Sequence, residues 1–383
     1  MRVLVLGAGM MGQAIAYDLS RREQPEVIHI ADREKERAET VANRLADHRV
    51  VPHRLDATAT RAARELMADC DVAISAVPYF LNLPLAQAAV ETGTHFCDLG
   101  GNNRIVAQEL ALNERAQAAG VTVIPDCGLA PGLVNLLTAA AIDGLDEVDA
   151  VRIRVGGLPQ HPRPPLSYQL VFSAHGLLNE YMEAATILRD GRIASVPSLT
   201  GIEGISFSPP YERLEAFHTS GGSSTLPQTL AGRVRSLDYK TIRYPGHAAK
   251  VAAMARLGFF DTEPHHLDGG EVVPRDLAVA LLTERLSFDD PDVVLLRVTA
   301  EGSASGRAIR VAYEMIDTYD EETGLSAMMR TTGFPIAQIG VMLASGQIPS
   351  RGALPQEVCV PTAPFLAGLE ERGLAIHKSV AEE

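Results

Sequence analysis

Val3-Leu4-Val5-Leu6-Gly7-Ala8-Gly9-Met10-Met11-Gly12 sets an apolar run directly against three glycines spaced G-x-G-x-x-G. The run reads as a strand, and the residues from Met10 onward carry helical periodicity. A strand that turns through glycines into a helix presents unpaired N–H groups and the positive end of a dipole, which suits a pyrophosphate. Gly7 allows the tight turn and Gly9 lets the backbone approach the phosphates, with Met10 and Met11 on the first helical turn. Gly12 lets helix and strand pack closely. Such a motif has meaning only within successive βαβ units, and the chain supplies them. Apolar runs at 3–6, 27–31, 50–55, 71–75, 95–99 and 121–125 alternate with helical patterns at 10–21, 35–46, 59–67, 84–91 and 105–119. Six such strands make a doubly wound parallel sheet, so residues 1–130 read as a dinucleotide-binding Rossmann domain of the α/β class.

After Pro131 the pattern changes. Segments 148–155, 239–244, 293–300, 308–318 and 325–332 have strand composition, and Val151-Arg152-Ile153-Arg154-Val155 alternates as one half-solvated strand of an antiparallel sheet does. Helical patterns interrupt them at 248–257 and 276–285, whereas 156–165 and 197–210 read as loops. Residues 131–332 are therefore expected to form a second α/β domain, with a mixed, largely antiparallel sheet, for substrate binding and oligomerisation. Residues 333–383, with helices at 336–343 and near 365–372, are expected to return to the Rossmann domain. The apolar tail points to a homodimer or higher homo-oligomer.

Composition excludes several classes. A net charge of −14, from 48 acidic against 34 basic residues, disfavours nucleic acid and anionic membranes as partners. No apolar tract is long enough to span a bilayer, and the N-terminus lacks the features of a signal peptide. The 4 cysteines are scattered without C-x-x-C spacing, against a disulfide framework or a zinc site. His265-His266 reads as an exposed turn. The expectation is a cytoplasmic protein without a metal.

Asp32 ends the second strand, where it would bond the adenine ribose hydroxyls and repel a 2′-phosphate, favouring NAD over NADP. Arg33 would stack on adenine or hold a phosphate, keeping NADP as the lesser option, or else is a solvated loop charge. Asp56 would meet the adenine edge or cap the next helix. Ligands of such sheets lie beyond the carboxyl ends of the strands. That rule selects Ser75-Ala76-Val77-Pro78-Tyr79, Asp98-Leu99-Gly100-Gly101 and Asp126-Cys127-Gly128. Ala76, Val77 and Gly100 would border the nicotinamide ribose. Tyr79, Asp98 and Asp126 are the catalytic candidates, the alternatives being a packed aromatic for Tyr79 and a turn or cap for Asp98. Cys127 reads as packing. In the second domain, residues 217–225 offer hydroxyls and N–H groups at His218, Thr219 and Ser220 that would receive a carboxylate, unless the loop is simply surface. Alternation puts Lys240, Ile242 and Tyr244 on one strand face and Thr241 and Arg243 on the other. An inward Arg243 is a bidentate carboxylate anchor; an outward one is an ordinary surface charge.

Taken together, the glycine fingerprint, Thr94-His95-Phe96-Cys97-Asp98-Leu99-Gly100-Gly101, Ile124-Pro125-Asp126 and Ala130-Pro131-Gly132 resemble the saccharopine dehydrogenase family. So do Glu215-Ala216-Phe217-His218-Thr219-Ser220-Gly221-Gly222, Tyr239-Lys240-Thr241-Ile242-Arg243-Tyr244 and Asp292-Val293-Val294-Leu295-Leu296-Arg297-Val298, and the resemblance runs along essentially the whole chain. It implies NAD-dependent oxidative deamination of the L-lysine ε-amine to the 6-semialdehyde, which cyclises to piperideine-6-carboxylate, with release of ammonia. Tyr79, Asp98 and Asp126 would then surround the amine, while Arg243 and the 219–223 loop hold the α-carboxylate. One departure bears on the substrate. Saccharopine-forming relatives carry an arginine in the loop equivalent to 217–225, and this loop has none, which favours a substrate without a glutamate arm. The alternatives are a saccharopine-type or other opine reductase and a non-catalytic NAD-binding redox sensor; Asp98, Asp126 and Arg243 argue against the sensor.

Overall fold

The computed structural model describes residues 1–171 and 173–382, and the chain divides into two units. The first holds Met1–Ala140, Ser224–Leu226 and Met329–Ala375; the second holds the described residues of Ala141–Ser223, Pro227–Met328 and Ile376–Glu383. Phe172 and Glu383, inside the expected second and third segments, lie outside the described residues.

The first unit alternates β1 (Arg2–Leu6), α1 (Met10–Ser20), β2 (Val27–Asp32), α2 (Lys35–Leu45), β3 (Val50–Arg54), α3 (Thr60–Met67) and β4 (Val72–Ser75). A 3-10 turn (Tyr79–Leu81), α4 (Asn82–Thr92), β5 (His95–Asp98), α5 (Asn103–Leu110), α6 (Asn113–Ala118) and β6 (Thr122–Ile124) follow. The strands pair in parallel in the order β6-β5-β4-β1-β2-β3. Leu4, Ile30, Ile74 and Phe96 are fully buried, the near-continuous apolar pattern of strands covered on both faces. Pro52 falls on the edge strand β3, where a missing N–H costs least. Strand order reverses between β1 and β4, which opens the crevice in which such sheets bind ligands. The helix expected over 105–119 is two helices, α5 and α6, broken at residues 111–112.

From α7 (Leu133–Ile142) the chain passes into β7 (Glu147–Pro159), α8 (Ala174–Met182), β8 (Ala185–Arg189), β9 (Arg192–Val196), β10 (Glu203–Ile205) and β11 (Leu214–His218). Then come α9 (Leu226–Leu230), β12 (Val234–Arg243), α10 (His247–Arg256), β13 (His265–Leu267), β14 (Gly270–Val272), α11 (Pro274–Leu286), β15 (Asp292–Ala304) and β16 (Arg307–Thr318). The second sheet is mixed: β12 and β7 run parallel, while β10-β11-β12 and β7-β15-β16 are antiparallel. Gly156 and Gly157 were expected in a loop and instead continue β7. A Cβ on Gly156 would stand 2.6 Å from the Ile242 carbonyl oxygen, a backbone neighbour that demands glycine, whereas one on Gly157 would meet only the movable end of Met328, at 2.4 Å. His265-His266 lies in an exposed hairpin of β13 and β14. The sheet packs on both faces. Ile242, Ala216, Leu214 and Leu295 belong to one core, and Phe217, Tyr168, Tyr181 and Ala248 to the other.

The tail comprises α12 (Ala327–Ala344), β17 (Gly352–Ala353), α13 (Gln356–Cys359), α14 (Thr362–Glu370) and β18 (His377–Glu382). The strand expected over 325–332 is instead the start of α12. Asp292 explains the difference, because its two carboxylate oxygens accept the N–H groups of Ala327 and Met328 at 2.7 and 2.9 Å and hold the first turn of a run rich in Ala, Met and Arg. Gly333 and Gly340 let α12 approach closely, since a Cβ at either would stand 2.7 Å from Ala14 Cβ or 2.5 Å from Ile74 Cδ1. β17 adds to the first sheet beside β6, whereas β18 pairs with β16 in the second unit. Among the described residues no helix is long and apolar enough to cross a membrane.

One buried ion pair ties the tail to α1. Arg372 Nε lies 3.0 Å from the Asp18 carboxylate, which is 1 % exposed and is also met by Arg22 at 3.3 Å. Removing one partner of such a pair leaves a charge buried, and breaking it costs about 3–5 kcal/mol. Arg372→Ala should lower the unfolding free energy by that amount in denaturant titration; a loss under about 1 kcal/mol would show the contact to be incidental.

Candidate active site

The crevice between β1 and β4 is lined as a dinucleotide requires. Gly7 adopts φ +100°, and a Cβ there would stand 2.8 Å from the Ala76 carbonyl and 3.4 Å from Val77. A Cβ on Gly12 would stand 1.8 Å from the Gly7 carbonyl, whereas one on Gly9 would meet nothing within 4 Å. The backbone is thus closed where strand and helix pack and open where a phosphate must approach. No side chain caps α1, and Met10 beside its N-terminus is 54 % exposed. Asp32 is held at the end of β2 by the N–H groups of Ala8 and Glu34, at 2.9 and 3.0 Å. These residues fit a dinucleotide. Arg33 is exposed, 3.7 Å from Glu34. Asp56 is exposed and accepts both the N–H and the hydroxyl of Thr58, so it shapes the turn before α3, whose first residue is Thr60.

Beyond β5 and β6 the structure gathers three acids. Asp98 Oδ1 accepts the Gly100 N–H at 2.6 Å and the Asp126 N–H at 3.4 Å, which locks the two strand ends together. Asp98 and Glu109 are both fully buried, and Glu109 reaches Asp98 from α5. Asp98 Oδ2 and both Glu109 carboxyl oxygens are buried without a donor among the described residues. Burial raises both groups, with the charge of Asp98 raising Glu109 further, so the pair is expected to share a proton. Asp126 adopts φ 62°, and its Oδ2 accepts the Ser224 hydroxyl. Gly100 passes so close that a Cβ would stand 1.5 Å from Asp126 Oδ1. Burial first, and then the charge of Asp98, push the Asp126 carboxyl up to about 7. Asp98 is thus a positioning group enclosed by protein. Asp126 is 3 % exposed, and Tyr79, half-buried on the 3-10 turn, packs its side chain against Gly101. Cys127 is buried, as a packing residue is. Among the described residues no three His, Cys, Asp or Glu side chains are arranged to hold a metal ion.

The second unit centres on Arg243. Strand alternation places Thr241 and Arg243 on the face of Phe217, and Lys240 on the opposite face, where it meets Glu203 at 2.6 Å. Arg243 is 3 % exposed and its guanidinium carbon sits 4.5 Å above the Tyr168 ring. Its Nε donates to the Tyr181 hydroxyl at 3.1 Å and its Nη1 to its own strand's Ile242 carbonyl at 2.8 Å. The Tyr181 hydroxyl lies 2.9 Å from His247 Nε2, and His247 Nδ1 lies 2.9 Å from the Leu166 carbonyl. With the ring neutral, one assignment of protons satisfies this chain. The carbonyl must accept, so Nδ1 carries the proton and Nε2 accepts from Tyr181, whose oxygen then accepts from Arg243. Burial first, and Arg243 second, keep His247 neutral by pushing its pKa down to about 3.

Of the four expected substrate residues, the structure brings Arg243, Thr219 and Ser220 together and leaves His218 apart. His218 pairs with Lys240 across the sheet and packs on Gly201, on the face opposite Arg243. Thr219 spends its hydroxyl on Thr241 at 2.7 Å, and Ser220 contacts the Asn179 carbonyl at 3.4 Å. The 217–225 segment is no free surface loop: Gly222 lies flat on the Tyr239 ring, and the Ser220 N–H bonds the Glu180 carbonyl at 3.0 Å. Sequence reading missed Glu109, Glu180, Tyr181 and His247. Only Glu109 left a signal, since it follows buried Val106 by one helical turn.

Proton sharing by Asp98 and Glu109 sets a testable pH dependence. A carboxyl raised in the native state makes the native state bind more protons than the unfolded one at any pH between the ordinary carboxyl value, about 4, and the raised value. Its contribution is therefore complete below the ordinary value and is lost as pH rises through the raised one. The melting temperature of the wild type should fall between about pH 5 and pH 9, and Glu109→Gln, which keeps a donor to Asp98, should fall less. Parallel curves would refute the shared proton.

The geometry can be set beside known proteins. Residues 3–124 match the saccharopine dehydrogenase NADP binding domain, and residues 128–374 match the saccharopine dehydrogenase C-terminal domain. The chain is 22 % identical over 456 residues to the mitochondrial alpha-aminoadipic semialdehyde synthase of Mus musculus, covering 98 % of this chain and 47 % of that protein. It thus spans about half the length of the first curated relatives it matches. It is 23 % identical over 400 residues to the carboxyaminopropylagmatine dehydrogenase of Synechocystis sp., covering 99 % of this chain and 98 % of that one. Among solved structures, the apo saccharopine dehydrogenase (L-Glu forming) of Saccharomyces cerevisiae shares the fold, with a TM-score of 0.81, 21 % identity and 99 % of each chain covered. With both domain models matched along nearly its whole length, the chain belongs to the saccharopine dehydrogenase family, whose members are NAD(P)-dependent oxidoreductases acting on CH–NH bonds.

Proposed function

We propose that this chain catalyses NAD-dependent oxidative deamination of the ε-amine of L-lysine, an L-lysine 6-dehydrogenase activity. The observation that carries the reading is Arg243, a guanidinium 3 % exposed that stands at ion-pair distance from no carboxylate among the described residues. A buried cation without a partner is costly, and three of its five N–H donors stay free of Tyr181 and Ile242, in a fork that matches a carboxylate. The 217–225 segment supplies no arginine and turns the Thr219 hydroxyl inward, which favours a substrate with one carboxylate over a condensation product with a glutamate arm. Asp32 favours NAD, because its charge repels a 2′-phosphate.

Bound nicotinamide supplies the hydride acceptor. Asp126, with its carboxyl near neutrality, takes the proton of the substrate ammonium, since only a free amine can push hydride off the ε-carbon. Tyr79 orients the amine with its hydroxyl. Asp98, with Glu109, holds Asp126 in place. Loss of hydride leaves a C=N iminium; water adds to its carbon and ammonia departs with the C–N electron pair, giving the semialdehyde. That aldehyde condenses with its own α-amine and loses water to give piperideine-6-carboxylate.

Purified protein with NAD and L-lysine should form NADH without a second amino acid. A requirement for glutamate or a 2-oxo acid would indicate an opine-type reductase instead, and no turnover of any amine or opine in either direction would leave a dinucleotide-binding protein. Arg243→Gln should raise the KM for L-lysine about 10- to 100-fold and leave the KM for NAD unchanged, the loss of a charged hydrogen-bonded pair. Asp126→Asn should lower kcat on the order of 10²-fold or more. An unchanged kcat would remove Asp126 from the mechanism.

A further inference from the structure

We propose that Glu180, on α8, receives the α-ammonium of the amino acid whose α-carboxylate rests on Arg243, so that the two side chains form one site for a zwitterionic head group. The inference rests on the carboxylate role given to Arg243 above. Glu180 is half-buried, and among the described residues its carboxyl forms no ion pair or hydrogen bond. It precedes Tyr181, whose hydroxyl takes the Arg243 Nε proton at 3.1 Å. Glu180 thus sits beside the residue that holds the guanidinium, and its charge acts on Arg243, Tyr168, Tyr181 and Tyr239. Its own backbone is pinned, since the Glu180 carbonyl accepts the Ser220 N–H at 3.0 Å. Arg243 and Glu180 are near neighbours of opposite charge, yet they do not pair. Arg243 keeps its charge and Glu180 keeps an uncommitted carboxyl within a wall of low dielectric, which is costly unless a ligand completes both. An α-amino acid carries a carboxylate and an ammonium on one carbon and offers that complement, whereas a simple carboxylic acid would satisfy Arg243 alone. Burial raises the Glu180 carboxyl to about 7, in keeping with a group whose partner arrives with the substrate.

The test compares L-lysine with 6-aminohexanoate, which keeps the carboxylate and the ε-amine but lacks the α-amine. Binding to the wild type and to Glu180→Gln is measured by calorimetry with NADH present, and NADH formation from NAD and L-lysine is followed in parallel. The wild type should bind L-lysine at least about tenfold more tightly than 6-aminohexanoate, the worth of one charged hydrogen bond. Glu180→Gln should erase that preference by weakening L-lysine while leaving 6-aminohexanoate unchanged. Equal affinity of the wild type for the two compounds, no binding of either, or an intact preference in Glu180→Gln each overturns the proposal; the first two do so whether or not the variant folds. Preference without NADH formation would instead overturn the reaction while upholding the head-group site.

Discussion

A guanidinium almost sealed from water, in ion-pair contact with no carboxylate among the described residues, is the constraint around which the second unit is organised. Burying such a charge alone costs several kcal/mol, and the chain offsets part of that with neutral groups whose dipoles all point one way. The Leu166 carbonyl fixes the tautomer of His247, the neutral ring fixes the Tyr181 hydroxyl, and that hydroxyl accepts from Arg243 Nε. The face of Tyr168 lies against the guanidinium, which adds cation–π attraction without neutralising it. An aspartate in place of any of these groups would neutralise the guanidinium and so occupy the anion's place. The arrangement orients the cation and leaves its charge unspent.

The first unit meets the same difficulty with the opposite sign. Asp98, Glu109 and Asp126 bring three acids into a buried space, and the counter-charge that would pair them is missing from their hydrogen-bond partners, which are backbone N–H groups, Ser224 and one another. Protonation replaces pairing. Burial raises Asp98 and Glu109 so that the pair is expected to share a proton, and Asp126 is left near neutrality, as the proposed proton transfer requires. Gly100 belongs to this device as much as the acids do, since any side chain there would occupy the place of Asp126 Oδ1.

How much of this the sequence disclosed follows from how local each signal is. The fingerprint, the strand ends and the alternation of 239–243 depend on neighbours a few residues away, and all are legible. Arg243 was expected to face opposite Lys240, and it does. The illegible parts depend on remote partners. Asp292 starts α12 thirty-odd residues downstream, so 325–332 read as a strand until its cap was visible. His247 and Tyr181 look like ordinary residues of two helices until they meet on one arginine. His218 misled for the converse reason: it sits one position from Thr219 in sequence, yet the pleat turns it to the other face.

The substrate question then reduces to where cations remain unspent. Near Arg243 on β7 and β12, the other basic side chains, Arg154 and Lys240, both lie on the far face and are engaged by Glu203 and Asp238 at 2.5 to 3.1 Å. They are structural charges, closing a ladder across the sheet. Residues 217–225 supply hydroxyls and glycines, and these are committed to β12, α8 and the Tyr239 ring. In the proposed head-group site a ligand therefore meets Arg243 and Glu180, neither of which is in ion-pair contact among the described residues. A substrate with a second carboxylate would need a second cation without a carboxylate partner, and among the described residues β7 and β12 offer none near Arg243; Arg275 on α11 is held by the Asn179 side-chain carbonyl. The single buried cation of this face is the reason the proposed substrate is an amino acid with one carboxylate rather than two.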